Sequence, residues 1–358
     1  MTKTNLPLLQ KFKRSWIKMI DAAQRLVTCC GSIDDTAKRV VPVSPMEKFP
    51  MKKLAWRRGG IHPEDRIRLY MNPQIESDGN DYASMKDAED VPPPTTLYKA
   101  LLSTIKQYDT KCKTRAGKNL LSDYIATRRD IKVDLERTFP GEKCWINTKK
   151  GQASLKRVLL AYSVLHECKG YVQSMSHIAG RLLCIAREGK KMKSLKIEAC
   201  VFDLLRKICD RFCPTTYCDG MEGLHQSGAI LEELIRDRLP ALSTHLEARG
   251  SSHLGLILAT NWFLPLFCAD FFKETTSRIL DIIMTEGPDT MYAIAIAILR
   301  MNQAYLMNSD LDFYEIFGYL KKFTTRMTNV DLLLANAKRE WGFLRLNVFS
   351  EKPRMKFL

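Results

Sequence analysis

Apolar residues recur at intervals of three and four along most of this chain, and strand-like alternation is scarce. Leu155, Val158, Leu159, Tyr162 and Leu165 make one stripe. Met175, Ile178, Ala179, Leu182, Leu183 and Ala186 make the next, and Ile197, Val201, Leu204, Leu205, Ile208 and Phe212 a third. Such spacing lines up apolar side chains on one face of a helix, where a neighbouring element can cover them. Upstream, Leu97, Ala100, Leu101 and Ile105 predict a further helix, and Ser174 is placed to cap the one that starts at Met175. No internal repeat and no sustained coiled coil interrupts the series, so the pattern predicts an all-α protein.

The same pattern suggests boundaries. Residues 1–50 read as a basic amphipathic helix and linker: Leu9, Phe12, Trp16, Met19, Ile20 and Ala23 at helical spacing, with Lys11, Lys13, Arg14, Lys18 and Arg25 between them. A helix of this kind packs on the main domain or lies on a partner or an anionic membrane surface through residues 9–25, and the pattern leaves these open. Residues 51–335 read as one large helical domain. Within it, residues 73–96 are acidic and end in Pro92-Pro93-Pro94. They are too polar to bury much surface, so a mobile insertion is expected. Residues 336–358 read as a basic tail that closes the domain or frays.

Charge narrows the partners. With 56 Lys and Arg against 40 Asp and Glu, the net charge is +16, which favours an acidic protein face or an anionic leaflet. Nucleic acid would rest on charge alone and is not expected. Eleven cysteines, an odd number with no CxxC pair, are expected to be reduced thiols of an intracellular protein. Cys209, Cys213 and Cys218 with His225 could surround zinc, but their spacings match no standard module. Thr2 to Lys18 is too charged for a secretory signal. The most apolar stretch, Leu254 to Phe272, contains Asn261, Pro265 and Asp270, which favours a buried helix pair over a membrane span. Walker A, GxSxG, HExxH and kinase signatures are absent.

Two short segments carry the candidate chemistry. In Ile131-Lys132-Val133-Asp134-Leu135-Glu136-Arg137, the residues Ile131, Asp134 and Arg137 fall close to one helix face. Pro140 biases Phe139 away from helix, so the helix should stop near Arg137. That leaves a guanidinium at a helix end, with a carboxylate one turn back to hold it. Further on, Tyr171-Val172-Gln173 places a glutamine on a turn ahead of the next helix. Arginine and glutamine on rigid elements suit stimulation of GTP hydrolysis in trans. The arginine offsets charge on the transferring phosphoryl group, and the glutamine orients the attacking water.

These segments resemble the IxxDxxR and YxQ motifs of the TBC family of Rab GTPase-activating proteins. The likeness continues through the Gly60-Ile61-His62-Pro63 turn and Arg66, with Tyr70 where the family's RxxxW motif has tryptophan. It goes on through Leu239-Pro240, His245-Leu246, Asn261-Trp262-Phe263, Arg278 to Asp281 and Glu286-Gly287, covering about Arg58 to Leu306. Where family members continue with Gly-Met-Asn after the glutamine, this chain has Ser174-Met175-Ser176.

The resemblance implies a two-lobed, multi-helix TBC-like domain, here behind an N-terminal amphipathic helix. Its groove would receive a Rab-type small GTPase that carries GTP and Mg²⁺. Arg137 would be the arginine finger and Gln173 the water-positioning residue, with Asp134, Tyr171, Ile131 and Arg66 in supporting places. Such a chain has no cofactor of its own and is not an enzyme in isolation, since it completes the active site of its partner. A cytoplasmic protein of vesicle trafficking, peripheral on endomembranes, is expected. The alternative is a catalytically weak binding module or scaffold that docks on a GTPase or membrane complex.

Overall fold

Helices form where the stripes fall, because one face of each finds a neighbour to bury against. A computed structural model describes residues 53, 55–71, 94–142, 144–167, 170–188, 193–213, 215–217, 220–249, 253–308 and 312–349, all within one compact unit. Helix α1 (Pro63–Tyr70) is opened by His62, whose ring nitrogen accepts the Glu64 amide, with Pro63 at the first helical position. The first half continues with α2 (Pro94–Lys111), α3 (Arg115–Leu120), α4 (Ser122–Arg137), α5 (Lys149–Leu165), α6 (Met175–Glu188) and α7 (Ser194–Lys207). The second half holds α8 (Glu222–Arg238), α9 (Pro240–Glu247), α10 (Leu254–Leu258), α11 (Lys273–Glu286), α12 (Thr290–Leu306), α13 (Phe313–Arg326) and α14 (Val330–Asn347). Among the described residues no strand occurs. The architecture is all-α and two-lobed.

In the first lobe α2, α5 and α7 pack on one another. Glu198 of α7, 2% exposed, ties them together. It accepts from Tyr98 Oη at 2.9 Å, Ser154 Oγ at 2.7 Å and the Arg157 guanidinium at 2.6 and 2.9 Å. Those bonds hold the carboxylate below its usual range despite burial. In the second lobe α8 packs on α10 and α12 on α14, with Glu340 of α14 accepting from Arg238 and Arg300.

Helix α6 joins the lobes. It contacts α1, α4, α5 and α7 on one side and α11 on the other, and Ile178 to Ala186 are all buried. The stripe over Met175–Ala186 is thus covered all round, and this rigid rod positions the turn that precedes it.

Two boundaries and one helix face are set more sharply than expected. Of the two readings of 336–358, closing the domain is the one seen as far as Asn347. Leu333, Leu334, Ala337, Trp341 and Leu344 are buried, a helical stripe interleaved with basic residues that packs on α12. Pro94 to Thr96, assigned to the insertion, open α2, since prolines suit a first helical turn. In α2, Ala100 faces solvent and Tyr98 is the buried residue. The N-terminal segment 1–50 and most of the acidic insertion lie outside the described residues. Among the described residues no helix is long and apolar enough to cross a membrane, and no three metal-ligating side chains are grouped.

Candidate functional site

Helix α4 ends at Arg137, and Thr138 is already extended. Ile131, with no exposed surface, pins the helix to the core, and Asp134, one turn on, shares that buried face. Arg137 itself is half-buried. Asp134 is 6% exposed and accepts a hydrogen bond from Tyr171 Oη at 2.7 Å. That bond joins the two sequence motifs, which are otherwise separated by all of α5.

Burial pushes the Asp134 carboxyl up to about 6, against the opposing pull of the Tyr171 hydroxyl and the positive charge of Arg137. Tyr171 titrates well above its ordinary range, first from burial and then from the adjacent carboxylate, so it stays a donor.

Gln173 lies exposed on the turn leading into α6. The turn is knitted by Met175 N to the Val172 carbonyl at 3.0 Å, and by Ser176 Oγ, which donates to the Gln173 carbonyl at 3.2 Å. Ser174 does not cap α6. Its hydroxyl is buried without a partner, while its carbonyl accepts from the His177 and Ile178 amides. The family-like glycine is not needed for backbone freedom here, because no residue of this turn has positive φ.

The segment that follows Arg137 is clamped by residues that the motif reading did not single out. Thr138 Oγ1 donates to the Asp134 carbonyl at 2.7 Å. Phe139 takes φ +53° rather than the extended form favoured before proline, a strained state for a bulky residue. Its surroundings hold it there. The guanidinium of Arg181 sits 4.0 Å over the ring, His177 meets it edge-on at 5.5 Å, and Asn147 Nδ2 donates to its carbonyl at 2.8 Å.

Gly180 makes room, since a Cβ there would approach Phe139 to 3.0 Å. Arg181 is wholly buried on α6. It pairs with both Glu142 oxygens at 3.0 and 3.2 Å and reaches the Phe271 carbonyl at 3.4 Å. Burial, with the charge of Arg181, pushes His177 down to about 4, so it is neutral near pH 7. The sequence did carry a signal for this clamp: an arginine inside the otherwise apolar run Ile178 to Ala186 can only be a buried cation seeking a carboxylate.

Arg66 is not with the others. It binds Asp281 through Nε at 3.0 Å and approaches Glu188 at 3.8 Å, while Tyr70 Oη donates to Asp281 at 2.7 Å. Glu188 ends α6, so Arg66 stands about 20 Å of helix rise from Gln173. Arg66 and Tyr70 tie α1 to α11. The structure therefore brings Ile131, Asp134, Arg137, Tyr171 and Gln173 to one end of α6 and Arg66 to the other.

The Rab-GTPase-TBC domain model matches residues 91–307. TBC1 domain family member 2A of Homo sapiens is 30% identical over 221 residues, 61% of this chain and 22% of that protein. This chain thus spans about a fifth of that relative's length. Growth hormone-regulated TBC protein 1 of Rattus norvegicus is 30% identical over 215 residues, covering 60% of this chain and 70% of the relative. Among solved structures, the Chlamydomonas flagellar RabGAP TBC domain aligns with a TM-score of 0.59 at 23% identity, over 94% of this chain and 96% of that one. The Ypt/Rab-GAP domain of Gyp1p aligns with a TM-score of 0.63 at 20% identity, over 82% of this chain and 92% of that one. These two likenesses establish the fold.

Proposed function

This chain belongs to the RabGAP-TBC family, and we propose that it stimulates GTP hydrolysis by a Rab-type small GTPase, with Arg137 as arginine finger and Gln173 as the residue that orients water. The observation that carries this reading is the Tyr171–Asp134 hydrogen bond at 2.7 Å. It couples the carboxylate beneath Arg137 to the turn that bears Gln173, so the two side chains are presented as one unit. GTP and Mg²⁺ belong to the partner. Arg137 would neutralise charge on the transferring phosphoryl group, and its forked guanidinium can reach two oxygens at once. Val133, one turn before Arg137, is 42% exposed and offers the partner an apolar contact beside the finger.

The test is single-turnover GTP hydrolysis across a panel of purified Rab GTPases, with wild type, Arg137→Ala and Gln173→Ala in parallel. Stimulation by wild type that collapses in both variants supports the mechanism and identifies the partner. A GTPase that binds without acceleration would leave the second reading, a binding module. Ser174 favours that reading, because its buried hydroxyl has no partner in the catalytic turn.

A further inference from the structure

The end of α4 far from Arg137 carries a feature that the proposed reaction does not use. Between Asp109 and Asp123 the chain contains Lys111, Lys113, Arg115 and Lys118 and no acid. All four cations are exposed. Leu120 follows them at 77% exposure, more than any other large apolar side chain among the described residues.

The turn that displays these groups is fixed in shape. Thr114 Oγ1 donates to the Lys111 carbonyl at 3.0 Å and accepts the Gly117 amide at 3.0 Å. Gly117 is buried against that same carbonyl, closely enough that a Cβ would collide with it. Beside the turn, Asp109 is answered by Arg128 at 3.0 Å.

We propose that this turn docks on an anionic lipid bilayer, with Leu120 entering the headgroup layer and the four cations facing lipid phosphates. A protein partner would have to supply a shaped pocket for a lone leucine on a projecting turn. A bilayer needs none, because its anionic headgroups answer exposed cations and its apolar layer accepts an exposed leucine of any surroundings. The α4 helix sets this tip about 23 Å of rise from Arg137, so docking leaves the Arg137 end of α4 clear of the bilayer. The proposal does not rest on the GTPase reading.

The test uses the full chain with vesicles of phosphatidylcholine, with and without phosphatidylserine, read by co-sedimentation and amide hydrogen exchange. Phosphatidylserine vesicles should protect residues 111–121, and salt should weaken binding. Replacing the four cations by alanine should lower affinity by about fivefold per cation in contact. Leu120→Ser should lower it severalfold without changing the salt slope. Because all five side chains point to solvent, melting temperature serves as the control for folding. Protection confined to other parts of the chain, such as residues 9–25, would overturn the proposal. So would affinity unchanged by the fourfold replacement, or no binding to anionic vesicles.

Discussion

The two ends of α6 use the same residue types for different ends. At the Glu188 end, Arg66 is 6% exposed and pairs with the wholly buried Asp281, which also takes the Tyr70 hydroxyl. Every charge there is answered inside the protein. At the Met175 end, Asp134 is buried and satisfied by Tyr171, yet Arg137 stays half-buried and Gln173 exposed. Below the surface Asp134 is held by Tyr171, while at the surface Gln173 is exposed and Arg137 partly so. Charge alone does not separate a packing arginine from one suited to act on a partner. Burial of the guanidinium, set against burial of the carboxylate beneath it, does.

The largest expected effect falls on activity. Arg137→Ala should remove on the order of 10³–10⁵ of the stimulated rate with an unchanged melting temperature, and Arg137→Lys should recover little of it. Arg66→Ala should do the reverse. It leaves Asp281 buried without its cation and should cost about 3–5 kcal/mol of stability in chemical denaturation, with the residual folded protein still active. An Arg66 variant that kept full stability and lost stimulation would break the contrast.

Arg181→Met sharpens it from a third side. Phe139 would lose the guanidinium that holds its strained backbone, and the segment after Arg137 would relax. Stimulated kcat should fall on the order of 10²-fold, with affinity for the GTPase changed only a few-fold. A purely packing role for Arg181 would instead show as lost stability with kcat intact among the folded molecules.

A smaller effect follows from Asp134. Its value is raised in the folded protein, to about 6, so its contribution to stability is present below the ordinary carboxylate range and is lost as pH rises through about 6. At neutral pH the ionised carboxylate therefore costs stability, a cost that the proposed role in positioning Arg137 would explain. Asp134→Asn should keep or raise the melting temperature at pH 7.5 yet lower stimulation on the order of tenfold. In wild type, stimulation relative to the intrinsic rate should fall as pH drops through about 6, and in the Asn variant it should stay flat. Equal pH profiles would remove Asp134 from the role of positioning Arg137.

Much of the fold was legible in the chain. The stripes at Leu155–Leu165 and Met175–Ala186 lie on α5 and α6, and that from Ile197 to Phe212 lies on α7 as far as Leu205 and then on a wider π-helical turn, Ile208–Phe212. The site was legible in its parts: Arg137 at a helix end and Gln173 on a turn both follow from residues within one or two turns of them. Composition decided less. Residues 336–347 could close the domain or fray, because Lys338, Arg339 and Arg345 alternate with Ala337, Trp341 and Leu344, which the fold buries. Ser174 looked like a cap because its type favours one, but its hydroxyl points into the interior.

The sequence by itself determined the properties that depend on near neighbours: which segments are helical, where α4 stops, and that an aspartate stands one turn before the terminal arginine. A helical period repeats every few residues, so its evidence is complete within a window. Only the tertiary structure decided which distant groups meet. Tyr171 reaches Asp134, Arg181 takes Glu142 rather than another acid, and Arg66 is drawn 215 positions along the chain to Asp281. With 56 cations and 40 acids, pairings of this kind far outnumber the ones that form. The physical selection is made by burial: only those pairs that packing forces out of water together must satisfy one another.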